Sequence, residues 1–118
     1  MNKNKDNLIV QLTLAFAKKI ITYSIKLDEK KMFAISNQLI RSGTSVGANV
    51  WESQNAESKN DFIHKIKVAL KEAEETEYWL LLCNEIEYLP KEENLLKELE
   101  IILKILNKIV STSKKQIG

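Results

Sequence analysis

The chain predicts an all-α fold, an antiparallel up-down-up-down four-helix bundle, from three observations. Leu, Ile, Lys and Glu dominate its 118 residues, a composition that favours long helices. Three Gly and one Pro are too few for the many turns of an all-β protein. Apolar residues recur at spacings of three and four over four long segments separated by short polar breaks. The length suits one domain, residues 1–118.

The first helix is expected over about 7–25. Ile9, Leu12, Phe16, Ile20 and Tyr23 form its core stripe, widened by Leu8, Ala15 and Ile21. Asp6 or Asn7 can cap its start. The second helix, about 29–53, takes Asp28 as N-cap with Glu29 in its first turn. Met32, Ile35, Leu39, Ser42, Val46 and Asn49 form one seam. Phe33, Ile40, Gly47 and Trp51 form a second beside it, one more than a single neighbour requires, so this helix is expected to touch its own bundle and something else. Met32–Val50 carries one charge, Arg41. Gly43, Ser45 and Gly47 in this helix leave two readings open, a local kink or close backbone approach by a neighbour, since Gly in a helix costs about 1 kcal/mol relative to Ala.

Ser58-Lys59-Asn60-Asp61 reads as a capping-box variant opening the third helix, about 59–88. Its seam is Phe62, Ile66, Ala69, Ala73, Thr76, Leu80 and Cys83. Leu89-Pro90 ends it, and Pro suits the first turn of a fourth helix over about 91–113. Leu95, Leu99, Ile102, Leu106 and Ile109 point inward there, with Leu96, Leu103 and Val110.

Charge narrows the function classes. The formal charge is +2, from 18 basic and 16 acidic residues, below the level that alone indicates nucleic acid. One cysteine excludes an intramolecular disulfide and a cysteine-rich zinc site. No apolar stretch follows a basic start, so a cytoplasmic domain without a membrane span is the expectation. His64 is the one histidine, which leaves neither a Ser/His/Asp set nor a metal site, and Cys83 reads as a small buried hydrophobe. No catalytic residues, metal or cofactor are expected.

The residue with most to explain is Arg41. If the second and third helices turn near 57–58, position 41 lies opposite Glu74, with Glu77 as the alternative acceptor. An Arg41–Glu74 ion pair at mid-bundle follows, because a buried arginine requires a carboxylate partner. The alternative is a catalytic or ligand-binding arginine. Asn49, a polar amide at a seam position, needs a specific partner. Trp51 and Trp79 read as packing or interface anchors more than as a base-stacking platform. On the fourth helix Lys97, Lys104, Lys108 and Lys115 share one face, a stripe able to follow a phosphate backbone of RNA or DNA. Against it stand the supporting pairs Glu93–Lys97 and Glu100–Lys104 of an ordinary solvated helix.

Gln38–Glu52, QLIRSGTSVGANVWE, resembles the small four helix bundle protein family. The resemblance resumes at Ser58–Ile63 and Ala69–Glu77 and covers nearly the whole chain. That family includes proteins encoded within intervening sequences of bacterial 23S ribosomal RNA genes. A related branch contains the accessory proteins of diversity-generating retroelements. The matching motif positions are Arg41, Ser45, Ala48, Asn49 and Glu52. Gly47 stands where members often have Pro, Trp51 where Ala is usual, and Ser53 where Gly is usual.

The resemblance implies a homo-oligomer, a pentameric ring, with no established enzymatic activity. The retroelement branch is similar to basic barrel-like assemblies that bind nucleic acid and a reverse transcriptase. Five copies at +2 carry only about +10. The function expected is a non-catalytic oligomer that contacts RNA or DNA through lysines. The alternative is a protein-interaction or assembly module with a protein partner and no nucleic-acid contact.

Overall fold

Asn7 opens the first helix, α1 (Leu8–Glu29), by accepting the Ile9 N–H on its side-chain oxygen at 3.1 Å. Ile9, Phe16, Ile20, Tyr23 and Leu27 are buried along one stripe. Leu27 lies four residues beyond Tyr23, so the core face continues past the end expected at residue 25. Asp28 consequently belongs to α1 and does not cap the next helix. The Lys31 N–H donates to the Asp28 carbonyl at 2.9 Å and the Met32 N–H to the Leu27 carbonyl at 3.0 Å, with Lys31 at φ 62°. That pair of bonds with a left-handed residue is a Schellman ending, built on lysine where glycine is usual.

The second helix, α2 (Phe33–Ser53), starts after Met32 without a side-chain cap. Leu39, Val46 and Val50 fill its core face with the small residues Ser36, Ser42 and Gly43. Asn49 is only half-buried, and Val50 takes the core position instead. Of the second seam, Gly47 faces α1, whereas Phe33 and Trp51 are exposed.

The two glycines mark close packing rather than a kink, since α2 runs unbroken through both. A Cβ on Gly43 would lie 2.8 Å from Ile20 Cγ2, and one on Gly47 would lie 3.2 Å from the Thr13 carbonyl oxygen. The Thr13 hydroxyl itself is turned into α1, donating to the Ile9 carbonyl at 2.8 Å.

Ser58 caps the third helix, α3 (Lys59–Glu85), accepting the Asp61 N–H at 3.0 Å, while the Asp61 carboxylate accepts the Glu57 N–H at 3.1 Å. Ile66, Ala69, Ala73, Thr76, Leu80 and Cys83 form the expected seam, but at its start Ile63 is buried and Phe62, expected there, is half-buried. The helix stops three residues short of Tyr88, because Ile86 turns extended and Leu89 folds back into the core. Lys91 closes this end: its ammonium donates to the Ile86 carbonyl, a favourable place for a cation. The fourth helix, α4 (Glu93–Ile117), therefore begins after the Pro90 turn, two residues later than expected, and runs four residues longer. Leu95, Leu99, Ile102, Leu106 and Val110 are its buried apolar residues, Ser113 is buried beyond them, and Ile109 is half-buried.

The structure, a computed structural model, describes residues 7–117, leaving Asp6 and its capping role outside the described residues. Among these residues there are four helices and no strand. Each helix packs on the next, and α1 also packs on α4, so one core runs down the middle of a body of 48 × 26 × 21 Å.

Two stability predictions follow from the α1–α2 hairpin. Lys31→Gly removes a left-handed penalty of about 1 kcal/mol and should raise the urea midpoint accordingly. Gly43→Ala must displace Ile20 at an overpacking cost of about 1–3 kcal/mol, partly offset by alanine's helix propensity. It should lower stability in the same urea titration, and by more than Gly47→Ala.

Candidate functional site

Arg41, Ser45, Ala48 and Glu52 recur on α2 at intervals of four, three and four. They share a face turned away from the core, with Ser45 half-buried and the other three exposed. The motif residues therefore contribute little to the interior. They form a surface.

Arg41 is exposed, not held at mid-bundle, and its guanidinium forks between two carboxylates of α3. Nη1 donates to Glu72 Oε1 at 3.1 Å, and Nη2 donates to Glu75. Glu74 is not the partner. Glu74 lies at the right level but on the wrong face: two residues rotate about 200° around a helix, which puts Glu74 on the far side from Glu72. Glu74 is accordingly exposed and Glu77 half-buried, and Arg41 reaches neither. Glu75 also accepts the Trp79 indole N–H at 3.0 Å. The Arg41 bond, then the Trp79 bond, holds the Glu75 carboxyl below the usual range. The Glu75 and Glu72 bonds raise Arg41 in turn.

The hydroxyl and amide side chains of this face bond within α2. Ser45 donates to the Arg41 carbonyl at 2.6 Å and Asn49 Nδ2 to the Ser45 carbonyl at 2.9 Å. Asn49 thus finds its partner in its own helix. Beneath them the Ser42 and Thr76 hydroxyls, both buried, are hydrogen-bonded at 2.9 Å between α2 and α3. Glu52 is exposed, with Lys65 Nζ at 3.9 Å.

Beside this face, α1 and α2 leave an apolar groove of about 200 Å³ lined by Val10, Leu14, Ala17, Thr44, Gly47, Ala48 and Trp51. Ile21 and Ile25 on α1 and Phe33 on α2 are also exposed. Leu14, Ile21, Ile25, Phe33 and Trp51 are each 42–59% exposed. By length and composition α1 is apolar enough to cross a membrane. In this fold one side of α1 fills the core, and these outer residues account for the rest of its apolarity.

On α4, Lys97, Lys104, Lys108 and Lys115 are all exposed. Lys104 pairs with Glu100 at 3.7 Å, and among the described residues no ion pair engages Lys97, Lys108 or Lys115. Elsewhere Tyr23 donates its hydroxyl to the Pro90 carbonyl at 2.7 Å, and burial pushes both Tyr23 and the nearby Cys83 thiol up. A protonated, buried thiol is a packing group. Sequence reasoning missed the outer groove, whose only signal was the second apolar seam on α2. It also missed Glu72 and Glu75, which stand in a run of four glutamates where spacing alone does not choose.

An exposed fork of this kind sets register more than stability. Arg41→Met should cost under about 1 kcal/mol in chemical denaturation of the protein at neutral pH. Because Glu75 is lowered, the pair contributes fully at neutral pH and is lost as the pH falls through the folded Glu75 value. Glu75→Gln should flatten that acid limb, readable as stability against pH.

The family model of the 23S rRNA-intervening sequence proteins matches residues 5–108. None of the curated proteins matches the chain. Among solved structures, it is similar to a protein with unknown function from the S23 ribosomal protein family of Bacteroides thetaiotaomicron VPI-5482. The two are 42% identical, with a TM-score of 0.82, over 87% of this chain and 98% of that one. A match of this extent, on a four-helix fold, places the chain in the 23S rRNA-intervening sequence protein family.

Proposed function

We propose that this protein is a non-catalytic, cytoplasmic homo-oligomer whose copies meet through the outer face of α1 and α2. The observation that carries the reading is the set of exposed apolar residues on these two helices, with Leu14 and Trp51 lining the α1–α2 groove and Ile21, Ile25 and Phe33 further along α1 and α2. A contiguous exposed apolar surface flanked by polar residues is characteristic of a protein contact. Arg41 and Glu52 supply that polar flank. Each copy is an up-down-up-down bundle, a topology supported by contacts between opposite helix ends. Asn7 bonds Gln54, Ser36 bonds the Ser24 carbonyl, and Lys59 bonds Gln116. The copies close into a ring, five of them by the family resemblance, in which the outer face of α1 and α2 of one copy meets a different patch of the next, since ring closure is head-to-tail.

The lysine row of α4 then meets RNA or DNA. None of the residues lining the α1–α2 groove belongs to α4, so both contacts can be made at once. A protein-interaction module without nucleic acid is the second reading, favoured by the same groove, which receives an unlike chain as readily as a copy. Pull-downs would then return one dominant protein partner that survives nuclease.

Light scattering across a salt series, with and without short RNA, tests both parts. The mass should be a multiple of the 13.6 kDa protomer. Leu14→Glu with Trp51→Glu should reduce it to one protomer with helicity intact. RNA binding should weaken steeply between low and moderate salt, as counterion release requires. A single-protomer mass for the unmodified protein overturns the assembly, and no RNA binding at low salt overturns the nucleic-acid contact.

A further inference from the structure

We propose that a second groove, between the start of α3 and the end of α4, receives an unpaired base of a single-stranded RNA or DNA. This rests on the nucleic-acid reading above and specifies its ligand. The groove holds about 390 Å³, within the range of small-ligand sites. Phe62, Ile105 and Ile109, all half-buried, form its apolar wall. Lys59 and Lys108 are its charged lining residues, and no carboxylate lines it. Lys59 Nζ donates to Gln116 Oε1 at 2.9 Å, so an ammonium and an amide are held together at its edge.

Three features favour a single strand over other anions. Lys108 belongs both to this groove and to the row Lys97, Lys104, Lys108, Lys115. A repeated row of ammoniums suits a repeated phosphate, whereas an anionic amphiphile needs one cation. Phe62 offers the aromatic ring on which a base stacks, and every base has a stacking face. A duplex keeps its bases inside its own stack and meets the row through phosphates only. The same end of the bundle carries further positive charge. Lys67 and Lys114 lie close enough that the Lys114 ammonium lowers Lys67.

Fluorescence anisotropy at low salt, with the full chain, tests the inference through three probes of equal length. These are a base-bearing single strand, a fully abasic strand and a duplex. The base-bearing strand, as RNA and as DNA, should bind about tenfold tighter than the abasic strand. Phe62→Leu keeps the apolar packing and removes the ring, and should shrink that ratio to about twofold. Lys108→Gln should weaken both strands. Equal binding of the base-bearing and abasic strands, or a ratio unmoved by Phe62→Leu, overturns the groove and leaves the nucleic-acid reading standing. Binding of no probe overturns that reading and the groove with it.

Discussion

Where α2 crosses α1, one position has no room for a β-carbon and a second has barely enough. Ile20 occupies the space beside Gly43, and the Thr13 backbone occupies the space beside Gly47. The residues of this crossing are accordingly small: Ser36, whose hydroxyl donates to the Ser24 carbonyl at 3.2 Å, and Ser24 itself, are fully buried. A hairpin this tight leaves large side chains only two places. Phe16, Ile20, Leu39 and Val46 go inward to the core, and Leu14, Ile21 and Trp51 go to the outer edge. Gly47 also lines the outer groove, so interior packing and surface shape are coupled at one residue. The feature that holds the hairpin together also creates the face it presents.

The polar residues of the interior follow the same economy. Thr13, Ser42, Ser53 and Thr76 are buried, and each hydroxyl is hydrogen-bonded, mostly to a carbonyl one turn earlier; the buried Ser24 hydroxyl is the exception and has no partner among the described residues. Such bonds satisfy a polar atom at small size, which is what a close helix crossing needs. Arg41 works differently. Its fork to Glu72 and Glu75 lies at the solvent edge of the α2–α3 contact, where it selects which flank of α3 faces α2. Trp79, bonded to Glu75 and edge-on to Tyr78 at 5.1 Å between centroids, extends that edge.

Much of this was legible in the chain because a helix repeats its spacing. Ser58 announced one helix start, Asn7 was one of two candidates for another, and the seams of α3 and α4 were read nearly residue for residue. The end of α1 was not legible, because its Schellman turn places Lys31 where glycine would have signalled it. Pro90 marked a break correctly but not the register, since the turn is fixed from other helices: Tyr23 of α1 donates to the Pro90 carbonyl and Lys91 donates back to the Cys83 carbonyl of α3. The choice between kink and close approach at Gly43 depended on Ile20, twenty-three positions away and on another helix. Glu72 and Glu75 were missed for a related reason: an opposing level can be counted along a hairpin, but a helix face requires the rotation of both helices. Both grooves are also joint properties of two helices, and neither has a motif of its own.

The proposed contact between copies is the outer face of α1 and α2. Hydroxyl-radical footprinting of the unmodified protein, dilute and concentrated, addresses it side chain by side chain. Oxidation of Trp51, Leu14 and Phe33 should fall as concentration rises, while that of Tyr88 stays constant. Equal oxidation of Trp51 and Leu14 at both concentrations, or protection confined to Tyr88, would contradict this contact.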